Sequence, residues 1–552
     1  MLVAALLLFL ALGIRLIPIG SGDLGIAGLF STDEQLAGEL VRAMVQHSNL
    51  GLSHFFSYGP LDLYAARVLL LPYGAVRPVD DQTVLIALRL VSLVSGAGCL
   101  LLTYLLGLRL WNSATGALAA LLLAAGPTFL TWSTTAHPDV LQLLFLLLGL
   151  YFAISPPMIG KGAIAGAVRP LLWASLFAGL AFATKYGGVL LLPSIWLAVG
   201  LRLRSCGKAL RLLRVWLRNV VLSTLVFAAV FLLIDPSAFG EPRRFLSQAR
   251  VESDLAHRGH LFLADGAPVE WLRLLGGGEL RGPVGVVLAV AGVVVWSIPD
   301  LRTAFPRLPP YLAPAPGQLS IPSSGERGAV GSVSSHNRKL EPVRPARLPL
   351  AAWTLGYLLF LLVWVGDRQA RYLLPILPGL LLYAAASAVW LSQRLPARPI
   401  ALILLTTFLL LPLGLRLKRY EQIQAVRMSG PAIASRIEAG RWLAMQVAPN
   451  TPILRDAYTY LPPSFTNVRE TFGLTTGQIE QRRPQIIMTD AAIRDRFLDP
   501  TAAIRYRNGE IAYQEIAAMY RALDLGGLAC YPSLRTFGPV HIYGRLSGET
   551  CP

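Results

Sequence analysis

The chain has 552 residues, 54% of them hydrophobic and only 14% charged, and its mean hydropathy is positive. Its apolar runs outlast any globular helix, which excludes an ordinary soluble protein and leaves an α-helical polytopic membrane protein. The net charge of +18 would suggest nucleic acid in a soluble chain, but here arginines held on the cytoplasmic side by the positive-inside rule account for it, and no nucleic-acid partner is expected.

Residues 2–19 are apolar apart from Arg15. No small-residue cleavage site follows cleanly, so the stretch reads as a retained first span rather than a secretory signal. With that span running inside to outside, residues 20–82 form a first external loop. Its centre is Ser31-Thr32-Asp33-Glu34. Ser31 and Glu34 have capping-box spacing, and acids in a first helical turn are favoured by the helix dipole. Behind them Leu36, Ala37, Leu40, Val41, Met44 and Val45 make the apolar face of a helix lying along the membrane surface. Gly59-Pro60 starts a second helix, with proline at its first position. Phe55, Phe56, Tyr58 and Tyr64 supply interfacial aromatics.

Ten further spans are predicted at 84–108, 116–131, 140–154, 171–183, 187–201, 220–234, 284–298, 350–365, 372–391 and 400–415, about eleven in all. The loops between them separate by charge. One set is basic with almost no acid, from Arg109 through the arginines of 202–218 to Arg394 and Arg398, and is assigned to the cytoplasm. The other holds Asp33 and Glu34, His137 and Asp139, Lys185, the loop 235–282 and the stretch 367–371, and its mixed charge suits a water-filled external site. Residues 299–349, rich in proline, serine, glycine and arginine, read as a disordered cytoplasmic linker. The transmembrane part ends near residue 416. From 417 to 552 helical periods at 432–446 and 511–523 alternate with strand-like stretches at 451–454 and 485–488, predicting a small extracytoplasmic α/β domain. Cys530 and Cys551 lie in it, and whether they pair is left open.

The external charges define a class of chemistry. His137-Pro138-Asp139 is a good helix start, with His137 either a base, a ligand or a polar loop residue. Lys185, in Ala183-Thr184-Lys185-Tyr186-Gly187-Gly188, interrupts a long apolar run, and the depth of that run on both sides favours a re-entrant break over a snorkelling lysine. Arg368 and Arg371 lie outside, against the positive-inside trend, and call for an anionic partner. Asp367 can satisfy one of them, and Arg371, nearest the membrane, suits a lipid phosphate. Carboxylates facing cations at the mouth of a helical bundle fit a sugar transfer from a phosphate leaving group: single displacement with inversion, Asp33 as the base for a hydroxyl or amine acceptor, Lys185 and Arg371 holding the phosphate.

In that order the residues resemble the GT-C membrane glycosyltransferases, in the branch of protein O-mannosyltransferases and aminoarabinose transferases. Thr32-Asp33-Glu34 is similar to that family's acidic pair, Tyr58-Gly59-Pro60-Leu61 to its aromatic-proline turn, and His137-Pro138-Asp139 to the acid of its second external loop. The stretch from Gly179 to Tyr186 is similar to its lysine-bearing break, and Arg371-Tyr372-Leu373-Leu374-Pro375 to its arginine-tyrosine-proline segment. The resemblance implies a GT-C bundle with interfacial helices, a polyprenyl-phosphate-linked sugar donor, and an inner or plasma membrane enzyme acting on the extracytoplasmic face. Asp33, Glu34 and Asp139 would be catalytic, Lys185, Arg371 and Arg368 would bind the donor phosphate, and Tyr58, His137, Tyr186 and Tyr372 would line the pocket. A divalent metal is left open, because its use varies across these enzymes and no ligand cluster is visible. The acceptor, whether glycan, lipid or protein, is also open. The chain lacks the three-repeat insert of protein O-mannosyltransferases, which puts a protein acceptor in doubt. Two alternatives are a lipid-linked sugar flippase, which would place ionisable residues near mid-membrane, and a polymerase or ligase of lipid-linked glycans.

Overall fold

The computed structural model describes residues 32–46, 58–154, 163–203, 209–258, 268–297 except 281, 347–393 except 367, and 431–546 except 463, 472, 499–509, 527 and 529. The expected spans 2–19 and 400–415, nearly all of the 299–349 linker, and Ser31, Phe55, Phe56, Asp367 and Cys551 lie outside these residues.

Helices α1 (Thr32–Gln46) and α2 (Leu61–Gly74) fall in the stretch expected as the first external loop. Then come α3 (Asp81–Leu110), α4 (Ser113–Ala124), α5 (Pro127–Trp132), α6 (Pro138–Ala153), α7 (Ala163–Thr184), α8 (Leu192–Leu203), α9 (Ala209–Ile234), α10 (Pro242–Arg258), α11 (Pro283–Ser297), α12 (Leu348–Val363) and α13 (Leu377–Ser392). Among the described residues, Asp81–Leu110 and Leu213–Ile234 are long and apolar enough to cross a membrane, and seven shorter apolar helices accompany them. Large apolar side chains stand exposed at helical spacing: Val94, Leu101 and Leu108 on α3, Val287, Val290 and Val294 on α11, Leu355, Leu359 and Val363 on α12. Stripes of this kind suit hydrocarbon, not water.

Local chemistry sets the breaks. Asp80 caps α3 by accepting from the Thr83 amide at 2.8 Å, and Asn112 caps α4 by accepting from the Thr115 amide at 2.8 Å. The span expected at 116–131 is two helices, because Pro127 cannot continue a ladder and Gly126 caps a new start. Likewise the span expected from 372 opens as a 3₁₀ turn, Ala370–Leu373, with α13 beginning only at Leu377 beyond Pro375. The one expected from 187 opens as a second such turn, Tyr186–Leu191, before α8. α12 begins at Leu348, just inside the expected linker.

One apolar core joins α3, α4, α6 to α8 and α11 to α13, and a second packs α1 and α2 on the start of α3 through Ala37, Val41, Leu63, Ala66, Val84 and Leu88. At the far end of α3, Arg347 donates to the Leu110 carbonyl at 3.0 and 2.7 Å and lies against both Trp111 and Trp296, about 5 Å from each ring. A cation there satisfies a helix C-terminus that has no further intrahelical donor.

From Pro431 the chain forms α14 (Pro431–Gln446), β1 (Ile453–Asp456), β2 (Val468–Thr471), α15 (Thr476–Arg482), β3 (Ile486–Asp490), α16 (Ala491–Leu498), α17 (Glu510–Asp524), β4 (Ser533–Phe537) and β5 (Val540–Gly544). The sheet order is β2-β1-β3-β5-β4, parallel across β2, β1 and β3 and antiparallel at β5 and β4. Strands β1 and β3 are buried along their whole length, as expected of parallel strands covered on both faces. The α/β reading of this region is thus seen in its secondary structure. Buried Asp456 accepts from the Tyr520 hydroxyl at 2.6 Å, and Arg436 grips Asp490 through two bonds of 2.7 and 2.8 Å.

A close joint between distant segments is at Gly59. A Cβ there would stand 1.8 Å from the Ala183 carbonyl oxygen, and one at Gly188 only 2.4 Å from the Phe182 amide nitrogen. Gly59→Ala therefore has to separate two backbones, and is expected to lower stability by about 1–3 kcal/mol. A melting temperature of the purified variant equal to the wild type would show that the joint yields freely.

Candidate active site

Four distant stretches meet at one end of the bundle. α1 is held there by a buried ion pair: Arg89 of α3 donates to both oxygens of Glu34, each at 3.0 Å, and the Ala136 amide donates to Glu34 Oε1 at 2.6 Å. Glu34, expected beside Asp33 in the catalytic group, thus turns away from it and ties α1 to α3 and to the loop before α6. The fork of a guanidinium matches a carboxylate in two parallel bonds, which fixes direction as well as distance. Arg42 on Asp81, at 2.9 Å, is a second, more exposed tie.

With α1 so anchored, Asp33 faces His137, the residue that caps α6. The imidazole stands between two acids: Nε2 is 3.2 Å from Asp33 Oδ2 and Nδ1 is 3.1 Å from Asp139 Oδ2. Arg371 donates to Asp33 Oδ2 at 3.1 Å and lies 3.0 Å from His137 Nε2. Lys185 donates to Asp139 Oδ1 at 2.5 Å. Asp33, His137, Asp139, Lys185 and Arg371 therefore form one connected chain of contacts. The Asp33 side chain is 37% exposed and that of Asp139 only 6%, so Asp33 is the carboxylate open to an incoming group.

Aromatic rings set the cations. Lys185 lies 5.1 Å from the centre of the Tyr372 ring, and Arg371 lies 5.4 Å from Tyr372 and 5.3 Å from Trp132. Trp132 also meets His137 edge-on at 4.7 Å, and Tyr58 is 6.3 Å from the same imidazole. Gln142 holds the lysine-bearing break in place by donating to the Lys185 carbonyl at 2.6 Å. Two more of the expected residues make contacts of another kind. Tyr186 packs on Phe182 and Phe245, and Arg368 donates to the Gly366 carbonyl in its own loop at 3.0 Å. Among the described residues no group of His, Cys, Asp and Glu is arranged to hold a metal ion.

Two participants escaped the sequence reading. Arg89 looked like a span residue near a helix end, and Trp132 is a lone aromatic at the close of a short helix. Glu279 is a third, more distant one. It receives both the amide and the hydroxyl of Thr128, at 3.2 and 2.5 Å, at the start of the helix that carries Trp132.

Burial would raise the Asp33 pKa, but the hydrogen bond and charge of His137 and the guanidinium of Arg371 outweigh it and hold this carboxyl well below the usual range. Burial would lower that of His137, but Asp139 and Asp33 outweigh it and raise the imidazole above its ordinary value. A group whose pKa is raised on folding contributes stability in full below its unfolded value, about 6.5 for histidine, and loses it as pH climbs through the folded value. The melting temperature of the detergent-purified protein is expected to fall with pH above neutrality, and His137→Gln to flatten that fall. Parallel curves for the two proteins would remove His137 as the titrating group. Glu34→Gln, which strands the Arg89 charge, is expected to cost about 3–5 kcal/mol, most of it regained in Glu34→Gln/Arg89→Met; a double variant as unstable as the single would refute the pairing.

Residues 82–234 match the profile of the dolichyl-phosphate-mannose-protein mannosyltransferase family. Comparison with curated protein sequences gives no match. Among solved structures the chain is similar to ArnT from Cupriavidus metallidurans. Against ArnT bound to undecaprenyl phosphate the TM-score is 0.52 at 15% identity over 99% of both chains, and against the apo state 0.55 at 14% identity over 99% of this chain and 98% of ArnT. It is also similar to the archaeal oligosaccharyltransferase AglB from Archaeoglobus fulgidus, captured with an inhibitory peptide and a dolichol-phosphate, with a TM-score of 0.50 at 11% identity over 99% of this chain and 74% of AglB. The GT-C resemblance read from the motifs is borne out: over residues 82–234 the chain carries the pattern of a mannosyltransferase family, and it shares the fold of ArnT and AglB.

Proposed function

We propose that the chain moves a sugar from a polyprenyl-phosphate donor to a hydroxyl or amine acceptor on the extracytoplasmic face of the cell membrane. The observation that carries this reading is at Arg371. One nitrogen of its guanidinium binds Asp33, while Nε, buried in the same cluster, has no hydrogen-bond partner among the described residues. A buried donor without an acceptor costs stability unless a ligand completes it. Beside Lys185, which has donors beyond the one given to Asp139, such a group suits a phosphate oxygen. The lipid phosphates held by the ArnT and AglB neighbours support the same donor class.

In the reaction, the acceptor oxygen or nitrogen attacks the anomeric carbon as the bond from that carbon to the phosphate oxygen breaks. The electron pair of that bond leaves with the phosphate, whose added charge Lys185 and Arg371 stabilise. The proton of the acceptor passes to Asp33, the exposed carboxylate of the cluster, and the sugar carbon inverts. His137 and Asp139 serve by position. Asp139 keeps Lys185 beside the other charges of the cluster, and His137 keeps Asp33 ionised and aimed. Tyr58 and Tyr372 bound the space beside them.

Released polyprenyl phosphate can be followed when the protein in liposomes is supplied with a polyprenyl-phosphoryl sugar. Asp33→Asn is expected to lower turnover by about two orders of magnitude while donor still binds. Arg371→Lys keeps the charge but loses the fork, and is expected to weaken donor binding about tenfold or more. Near-normal turnover in Asp33→Asn would take that residue out of the mechanism.

A further inference from the structure

The mechanism leaves one buried acid of this region without a task. Asp62 lies in the first turn of α2, 4% exposed, immediately after the Gly59-Pro60 turn that is pressed on the Ala183 carbonyl. An acid at a helix start is ordinarily a solvated partner of the helix dipole. This one is enclosed, and its Oδ1 has no hydrogen-bond partner among the described residues. Its surroundings are those of the cluster, since its charge acts on Tyr58 and it feels the charges of His137 and Asp139. The nearby cations are committed elsewhere, Lys185 to Asp139 and Arg371 to Asp33. Burial, opposed by His137 and the Leu63 amide, raises its pKa to about 7.

In its ionised form such a group repels a phosphate, and an unmet carboxyl oxygen needs a donor, which a phosphate oxygen does not supply. A hydroxyl or ammonium substituent does. We propose that Asp62 reads the sugar of the donor, its unmet carboxyl oxygen taking a hydrogen bond from a ring hydroxyl or amino group. This rests on the donor reading given above and adds specificity to it. Lys185 and Arg371 address the phosphate, which every lipid-linked sugar of this class shares. A buried carboxyl facing the ring distinguishes one sugar from another, because an analogue lacking the matching group leaves it unpaired.

The test compares the full-length protein in nanodiscs with Asp62→Asn, which keeps the shape, and Asp62→Leu, which removes the polar atoms. The probes are bare undecaprenyl phosphate and a panel of undecaprenyl-phosphoryl sugars comprising a hexose, its epimer and an amino-pentose. The wild type is expected to bind at least one sugar donor more tightly than the bare lipid. Asp62→Leu is expected to keep its affinity for the bare lipid, to lose about tenfold or more for the preferred donor, and to melt no lower than wild type when unliganded, since a buried unmet carboxyl is gone. Asp62→Asn is expected to bind the bare lipid as wild type does and to discriminate less among the sugars. Undiminished sugar preference in both variants overturns the proposal, as does an equal loss for bare lipid and sugar donor in Asp62→Asn, which would mark a structural role. A wild type that binds the bare lipid but gains nothing from any sugar overturns it alone. Failure of the wild type to bind undecaprenyl phosphate sinks the donor reading itself.

Discussion

A charge removed from water has to be given an opposite charge, and at one end of this bundle that requirement organises everything around it. Asp33, His137, Asp139, Lys185 and Arg371 are each set against a partner of opposite sign or a ring nitrogen within about 3 Å. The most buried of them, His137 and Asp139, depend on these partners most, because an unpaired ion away from water is strongly disfavoured. Mutual dependence of this kind makes the cluster rigid. Rigidity is what a transfer site needs, since donors aimed in advance at a developing charge need no reorganisation during the reaction.

The apolar packing serves that cluster by bringing its parts from afar. α1 is laid on α3 through a shared core and pinned by Glu34 on Arg89, which leaves its neighbour Asp33 facing the other way, toward His137. The close approach of Gly59 to Ala183 does the same for α2 and the lysine-bearing break. Prolines at 127, 138 and 375 stop or start helices where the polar groups must leave the regular ladder. The shorter apolar helices beside the two long ones follow from these interruptions.

The C-terminal sheet is built on a different plan. Its central strands β1 and β3 are buried along their length, and its buried acids are partnered inside, Asp490 by Arg436 and Asp456 by the Tyr520 hydroxyl. These pairs lie at the carboxyl ends of β1 and β3 and hold the sheet to α14 and α17.

Much of this was legible along the chain. Long apolar runs determined a membrane bundle, because no other solvent accommodates them. The alternation of basic and mixed loops separated the polar groups into two sets, and the acids and cations at 33, 139, 185 and 371 stood out because charge is rare beside such runs. Helices at 432–446 and 511–523 and two of the five strands were visible from periodicity. The edge strand β2 and the β4–β5 hairpin were not; β2 and β4 are dominated by charged or polar residues and are largely exposed. Tertiary structure alone decided which acid does what. Glu34 and Asp33 are neighbours in one helical turn, and only the location of Arg89, 55 residues on, turns one inward as an anchor and leaves the other exposed. The same holds for Asp62, which along the chain is an unremarkable helix-start acid. Its enclosure comes from α1, α3 and α7 packing around it, and burial by distant segments leaves no mark in local sequence.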